Sequence, residues 1–149
     1  MAGLYFEEFS VGQSVKTAGR TISEDAIFSF AGLSGDYNQI HTDADFASKT
    51  QFGQRVAHGL LGMSIAVGLI MQTGLLEGTV LAFREINDWK FVKPFFIGDT
   101  VHAVLSISET KALPRIGAGA LITSVEALNQ KDEVCQRGKL NLLVLSKPK

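Results

Sequence analysis

The stretch VAHGLLGMSIAVGLIM, residues 56–71, decides the fold. It carries no charged residue, and its polar side chains are His58 and Ser64. A membrane span needs about 18 or more successive apolar residues, whereas this run is shorter and contains glycines at positions 59, 62 and 68. It therefore predicts a buried central helix. Each glycine weakens a helix by about 1 kcal/mol relative to alanine, so the three predict a close approach of backbone or ligand.

The residues after Gly78 change to an extended pattern. Apolar and polar side chains alternate over 101–108, and residues 121–128 and 139–145 repeat the aliphatic, extended character between polar turns. One long buried helix followed by consecutive strands predicts an α+β fold, in which an antiparallel sheet wraps around the helix. Such a sheet leaves an edge strand open, so we expect two copies to join as a homodimer.

The composition of the chain restricts its class and partners. The 149 residues, 46% of them hydrophobic, suit a single domain over residues 1–149. The formal net charge of -1 predicts no binding to nucleic acid or to a membrane surface. The N-terminal residues do not resemble a secretory signal, so we expect a cytoplasmic protein. The single cysteine, Cys135, cannot form an internal disulfide and is expected to be a buried structural thiol.

A shorter helix is predicted before the central one. Ser23 can cap its start, and Glu24 and Asp25 lie near the positive end of its dipole. Gly35 is expected to end it, because glycine permits the backbone reversal found at helix ends. The residues after Gly35 are therefore predicted to form a loop.

That loop, GDYNQIH at 35–41, groups a carboxylate, an amide and an imidazole. Asp36 can accept a proton from water, and His41 can exchange one near neutral pH. Asn38 can orient a water or a side chain by hydrogen bonding. These residues are candidates for an acid-base pair with a polar neighbour, although Asp and Asn are also ordinary turn residues after a helix.

The start of the central helix is a second candidate site. Free backbone amides and the positive dipole end can hold an anion there, and Gly59 would let a ligand approach its N–H closely. Alternatively, Gly59 relieves crowding and His58 is a satisfied buried imidazole. If both features face one pocket, a base, an acid and an oxyanion donor suffice to add water to an α,β-unsaturated thioester without metal or cofactor.

His41, Asp43 and Asp45 alternate along the chain, a spacing that loosely permits a metal site. The segment lacks a second histidine or cysteine, and Asp43 reads as the cap of a short helix starting at Ala44. We therefore expect no metal site.

The sequence resembles the MaoC-like (R)-specific enoyl-CoA hydratases, also called type 2 enoyl-CoA hydratases. The signature of that family is a G-D-x-N-P-[aliphatic]-H loop, which appears here as GDYNQIH with Gln39 at the proline position. The similarity continues in order through Phe46-Ala47, Phe52-Gly53, His58-Gly59-Leu60, Phe91-Val92-Lys93-Pro94 and Gly98-Asp99.

The resemblance implies the hot-dog fold and reversible hydration of trans-2-enoyl-CoA to (R)-3-hydroxyacyl-CoA. Asp36 would activate the water, His41 would handle the proton at Cα, and the amide of Gly59 would bind the thioester carbonyl, with Asn38 as a further substrate-binding residue. The substrate would be an acyl-CoA or acyl-carrier-protein thioester. Without the proline, the loop is less stiff at Gln39.

Two other functions remain open from the sequence. A hot-dog thioesterase would share the fold, but many of these enzymes use a carboxylate on the central helix, and residues 56–71 contain none. A non-catalytic acyl-CoA binding module, or a subunit of a heterodimeric dehydratase, would not need Asp36, Asn38 and His41 together.

Overall fold

The architecture is a six-stranded antiparallel sheet packed against one long helix, seen in a computed structural model that describes residues 2–149. The predicted α+β class is confirmed. The elements are the strands β1 Ser14–Lys16 and β2 Arg20–Thr21, the helices α1 Glu24–Ser34, α2 Gln39–Thr42, α3 Ala44–Ser48 and α4 Gly59–Gln72, the strands β3 Val80–Phe91, β4 Thr100–Leu113, β5 Ala118–Leu128 and β6 Val134–Leu145, and two 3-10 turns at Phe6–Glu8 and Pro114–Ile116.

Strands β4, β5 and β6 form the antiparallel meander that the alternating pattern predicts. The strand order is β1-β4-β5-β6-β3, with β2 also beside β4. Strand β3 precedes β4 in the chain but pairs with β6 at the opposite edge. The alternation predicts neither this crossover nor the short strands β1 and β2, because two or three residues carry too little periodicity.

The central helix begins three residues later than predicted, at Gly59 rather than Val56. Val56 forms a β-bridge with Phe96, and the N–H of Ala57 donates to the carbonyl of Phe95 at 2.8 Å. These backbone pairs hold the residues before the helix in an extended form beside the segment that leads into β4.

Helix α4 is buried on its sheet side but not all round, which corrects the prediction. Leu60 is 60% exposed and Ser64 is exposed, because the sheet of one chain covers only one side of the helix. Within residues 2–149, no helix combines the length and apolar character needed to cross a bilayer. The buried positions of α4 are Leu61, Gly62, Met63, Ile65, Ala66, Leu69 and Ile70.

The expected close packing at glycine is confirmed at Gly62 and wrong at Gly68. A Cβ at Gly62 would lie 2.8 Å from the ring of Phe95 and 2.5 Å from the amide nitrogen of Gln136, whereas one at Gly68 would have nothing within 4 Å. Gly62 therefore allows α4 to lie close against Phe95 and Gln136.

Strand β3 is an edge strand with an apolar surface. It pairs with β6, and no strand among residues 2–149 pairs with its other edge. Its exposed hydrophobic side chains are Leu81, Phe83, Ile86 and Phe91. Strand β3 is therefore an open edge strand, as the sequence predicts for a sheet wrapped around one helix.

Cys135 is fully buried on β6, at 0% exposure. Burial raises the pKa of its thiol to about 11, with smaller contributions from Asp99 and Glu133. A thiol held protonated in this way is structural rather than reactive, as expected.

Candidate active site

Asp36 lies just beyond the end of α1 and is held by local hydrogen bonds. The helix ends as predicted at Gly35, whose φ of 79° is left-handed. The backbone N–H of Asn38 donates to Oδ1 of Asp36 at 3.1 Å, and the backbone N–H of Asp36 donates to the Ser34 hydroxyl at 3.2 Å. This turn fixes one carboxylate oxygen and leaves Oδ2 free.

The motif is not a loop throughout, because its last three residues begin helix α2. The side chain of Asn38 caps that helix, with Oδ1 accepting from the N–H of Ile40 at 3.2 Å. The cap accounts for the helical turn that the sequence does not predict. Asn38 is exposed and does not line the pocket described below, so its substrate-binding role stays a prediction.

His41 lies on α2 and is 7% exposed. Its Nδ1 lies 2.7 Å from the carbonyl oxygen of Val56. A carbonyl only accepts, so Nδ1 carries the hydrogen and Nε2 of the neutral ring is a bare acceptor. That Nε2 lies 3.8 Å from Oδ2 of Asp36, too far for a direct hydrogen bond.

Burial holds His41 in its neutral form. Desolvation is the largest influence and lowers the pKa of His41 below its usual 6.5, and the neighbouring His58 lowers it further, while the Val56 hydrogen bond and the Asp36 charge oppose the shift. Near neutral pH, the ring therefore presents an unprotonated nitrogen beside a carboxylate.

Gly59 is the first residue of α4 and lines the same pocket as His41. No group in residues 2–149 accepts a hydrogen bond from its N–H, which lies at the positive end of the α4 dipole. A Cβ at this position would lie 2.8 Å from the ring of Phe91. Glycine therefore keeps the gap between α4 and β3 open.

The pocket has a volume of about 390 Å³. The pocket walls are mainly apolar, which suits an acyl chain. Asp36 does not line the pocket but lies next to His41, which does. The lining residues are Ile40, His41, Phe52, Val56, Ala57, Gly59, Phe91, Val92, Lys93, Pro94, Phe95 and Gln136.

Gln136 is a polar pocket residue that the sequence analysis missed. It is 2% exposed; its Nε2 donates to the carbonyl of Gly59 at 2.9 Å, and its Oε1 accepts from the indole N–H of Trp89 at 3.2 Å. Counting alternate residues back from the buried Leu140 places Gln136 on the inward face of β6, so the sequence contains a weak signal for it.

The three alternating residues His41, Asp43 and Asp45 do not converge on one centre. Asp43 caps α3 as predicted, with Oδ1 accepting from the N–H of Phe46 at 2.9 Å. Asp45 instead pairs with Lys49 at 2.7 Å.

Ligand atoms of Asp36, His41 and His58 do lie within 4.8 Å of one another. However, each histidine already has one ring nitrogen against a backbone carbonyl. Their rings stack with centroids 3.9 Å apart and an interplanar angle of 27°. Lone pairs in two stacked rings do not point to a common centre, so the arrangement suits hydrogen bonding better than coordination of one ion.

Comparison with known proteins finds relatives over most of the chain. The sequence profile of the MaoC like domain matches residues 7–127. An (R)-specific enoyl-CoA hydratase from Rhodospirillum rubrum is 39% identical over 105 residues, covering 70% of this chain and 69% of that protein. Protein MaoC of Klebsiella aerogenes is 38% identical over 102 residues, covering 68% of this chain but only 30% of that longer protein.

Solved structures are similar to this chain over nearly its whole length. The X-ray structure of a monoamine oxidase regulatory protein from Archaeoglobus fulgidus has a TM-score of 0.91 and 34% identity, covering 99% of this chain and 98% of that one. A conserved hypothetical protein from Mycobacterium tuberculosis with a double hot-dog fold has a TM-score of 0.87 at 20% identity, covering 99% of this chain and 46% of that one. The predicted hot-dog fold is confirmed.

Proposed function

Because this chain belongs to the MaoC-like family, we propose that it reversibly hydrates trans-2-enoyl thioesters of CoA or acyl-carrier protein to (R)-3-hydroxyacyl thioesters. The observation that carries the proposal is that His41 and Gly59 line one apolar pocket, while Oδ2 of Asp36 lies 3.8 Å from Nε2 of His41. Similarity to an (R)-specific hydratase supports the stereochemistry.

Asp36 and His41 hold the attacking water. Their facing atoms, 3.8 Å apart, are both hydrogen-bond acceptors, so one water can donate a hydrogen to each. As the water oxygen bonds to Cβ of the enoyl group, a proton passes to the pair. The imidazolium form of His41, stabilised by the nearby carboxylate, returns that proton to Cα. The hydroxyl thus ends on Cβ and the hydrogen on Cα, and dehydration is the reverse.

The N–H of Gly59 binds the thioester carbonyl oxygen. Negative charge develops on this oxygen when water adds to Cβ. A donor placed to meet such a charge contributes about 2.7–4 kcal/mol to lowering the barrier in other enzymes. The apolar pocket excludes water from the acyl chain and strengthens this interaction.

Hydrolysis of the thioester has less support. Helix α4, Gly59–Gln72, contains no carboxylate that would serve a thioesterase of the kind considered above. Release of free CoA should therefore be negligible beside hydration.

We propose that the active form is a homodimer joined along β3. The free edge of β3 and its exposed Phe83, Ile86 and Phe91 would be covered by a second copy. Sedimentation should give twice the 16.1 kDa mass of one chain, and Ile86→Asp should shift the protein to the monomer.

The decisive experiment is a turnover screen with trans-2-enoyl-CoA substrates of increasing chain length. Loss of enoyl absorbance measures hydration, a thiol reagent in parallel reactions measures released CoA, and chiral analysis identifies the product. We expect (R)-3-hydroxyacyl-CoA. An (S) product, or no product from any enoyl thioester, would contradict the proposal.

A further inference from the structure

His58 contacts both Asp36 and His41 but has no place in the chemistry described above. It is 2% exposed, and its ring stacks on that of His41 with centroids 3.9 Å apart. Its Nε2 lies 2.9 Å from the backbone carbonyl oxygen of Asp36. It also directly precedes Gly59, so the two residues share the peptide group that carries the proposed oxyanion donor.

The hydrogen bond to Asp36 determines the tautomer of His58. Because the carbonyl oxygen can only accept, Nε2 carries the hydrogen, and Nδ1 of the neutral ring is then an acceptor. This Nδ1 is buried without a hydrogen-bond partner among residues 2–149. His58 is therefore not the fully satisfied imidazole that the sequence analysis allows.

Packing alone does not account for a histidine at this position. The ring also lies 4.9 Å from that of Phe30, so a phenylalanine would fill the space without a buried unpaired nitrogen. Such a nitrogen is unfavourable and uncommon in folded proteins. What histidine provides and phenylalanine does not is the Nε2–H donor to Asp36.

This donor connects the Asp36 turn to the central helix. The other hydrogen bonds of Asp36 among residues 2–149 join it to Ser34 and Asn38 within the same turn, and its side chain is 52% exposed. The bond from His58 spans 22 positions of the chain. It holds the turn against the residue before Gly59, while the stacked ring restrains the plane of His41.

We propose that His58 is a positioning residue for the hydratase reaction: it locks the Asp36 turn and the His41 ring onto the start of α4. The inference rests on the proposed function. In it, His58 transfers no proton and only positions the residues that do. His58 does not touch the reacting atoms and acts through Asp36 and His41. A loss of about 1 Å in placement can reduce turnover by up to about a hundredfold in enzymes.

Two substitutions separate the donor from the ring. His58→Phe keeps a flat ring for stacking and removes the donor, whereas His58→Gln keeps an amide N–H near the position of Nε2 and removes the ring. With trans-2-butenoyl-CoA, we expect kcat of His58→Phe to fall about ten- to a hundredfold, with KM changing less than about threefold. His58→Gln should recover at least several-fold of that loss. Wild-type kcat in His58→Phe, or equal losses in both variants, would overturn the inference.

Amide hydrogen exchange provides a readout that does not depend on activity. Exchange at residues 36–41 should be faster in His58→Phe than in the wild type or in His58→Gln, while exchange in β5 should be the same in all three proteins. Unchanged exchange at 36–41 would overturn the inference even if the wild type is an active hydratase. If the wild type hydrates no enoyl thioester but exchange responds as expected, the proposed function is wrong, whereas the positioning of the Asp36 turn by His58 is supported.

Discussion

Replacing Asp36 by Asn removes one negative charge and leaves the turn nearly unchanged. The amide oxygen of the new side chain can still accept from the N–H of Asn38, as Oδ1 does now at 3.1 Å. The native side chain is 52% exposed, so the free energy of unfolding should change little. The substitution should instead remove the electrostatic stabilisation of the protonated His41 that forms during proton transfer.

The distance between the Asp36 carboxylate and the His41 ring determines how far kcat should fall. A unit charge 3.8 Å from Nε2 of His41 stabilises the imidazolium by about 1 kcal/mol at the dielectric constant of water and by about 4 kcal/mol at an effective value of about 20. The half-exposed carboxylate lies between these limits. Since about 1.4 kcal/mol corresponds to a factor of ten, kcat should fall about ten- to a thousandfold. KM should change little, because the pocket walls are untouched.

The assay is the initial rate of enoyl absorbance loss with trans-2-butenoyl-CoA, alongside thermal unfolding of both proteins. Asp45→Asn is the matched control, because Asp45 is also exposed but pairs with Lys49 at 2.7 Å. It should retain wild-type kcat. If Asp36→Asn kept wild-type kcat with an unchanged unfolding midpoint, the carboxylate would have no part in proton transfer and the reasoning would be wrong.

Burial lowers the pKa of His41 below 6.5, so its contribution to the free energy of unfolding should be constant above about pH 6.5 and shrink as the pH falls below it. Urea titrations should show a smaller decrease for His41→Asn; an identical decrease would contradict this. Gly59→Ala should lower kcat/KM about ten- to a hundredfold, because the added methyl would lie 2.8 Å from the Phe91 ring. Gly68→Ala is the control: its methyl would have nothing within 4 Å, so activity should be kept and the unfolding midpoint should rise. Cys135, with a pKa of about 11, should react with a thiol reagent only as fast as the chain unfolds; rapid labelling of the native protein would refute its burial.

Short-range signals in the sequence predict the elements that depend on neighbouring residues. The hydroxyl of Ser23 accepts from the N–H of Ala26 at 3.2 Å, and Gly35 ends α1 in the left-handed region, as expected. The cap by Asp43 was predicted for the same reason. Each of these features forms within one helical turn, so a single sequence contains all the information that it needs.

Contacts between distant segments were not predictable in the same way. The bond from His58 to Asp36 crosses 22 positions, and the bond from Gln136 to Gly59 crosses 77. Alternation shows that Gln136 points inward, but the residue it meets depends on how β6 lies against α4. Likewise, a strand pattern at β3 does not reveal whether it pairs with β4 or β6.

The unpredicted helix α2 and the late start of α4 have different causes, one within a turn and one between distant segments. Asn38 acts as a cap rather than a plain loop residue. Val56 is drawn into a bridge with Phe96, which an uninterrupted apolar run does not indicate. In both cases a hydrogen bond at the boundary, rather than hydrophobicity, sets where the helix begins.

The order of elements along the chain also affects how the protein is made. Helix α4 has no charged side chain and is synthesised before β4, β5 and β6, the strands that cover it. Until β4, β5 and β6 have left the ribosome, this uncharged segment lacks the sheet surface that covers it in the native fold. Incomplete chains should therefore be prone to aggregate and to depend on chaperones during translation, and truncation within β6 should leave an insoluble product rather than a smaller folded one.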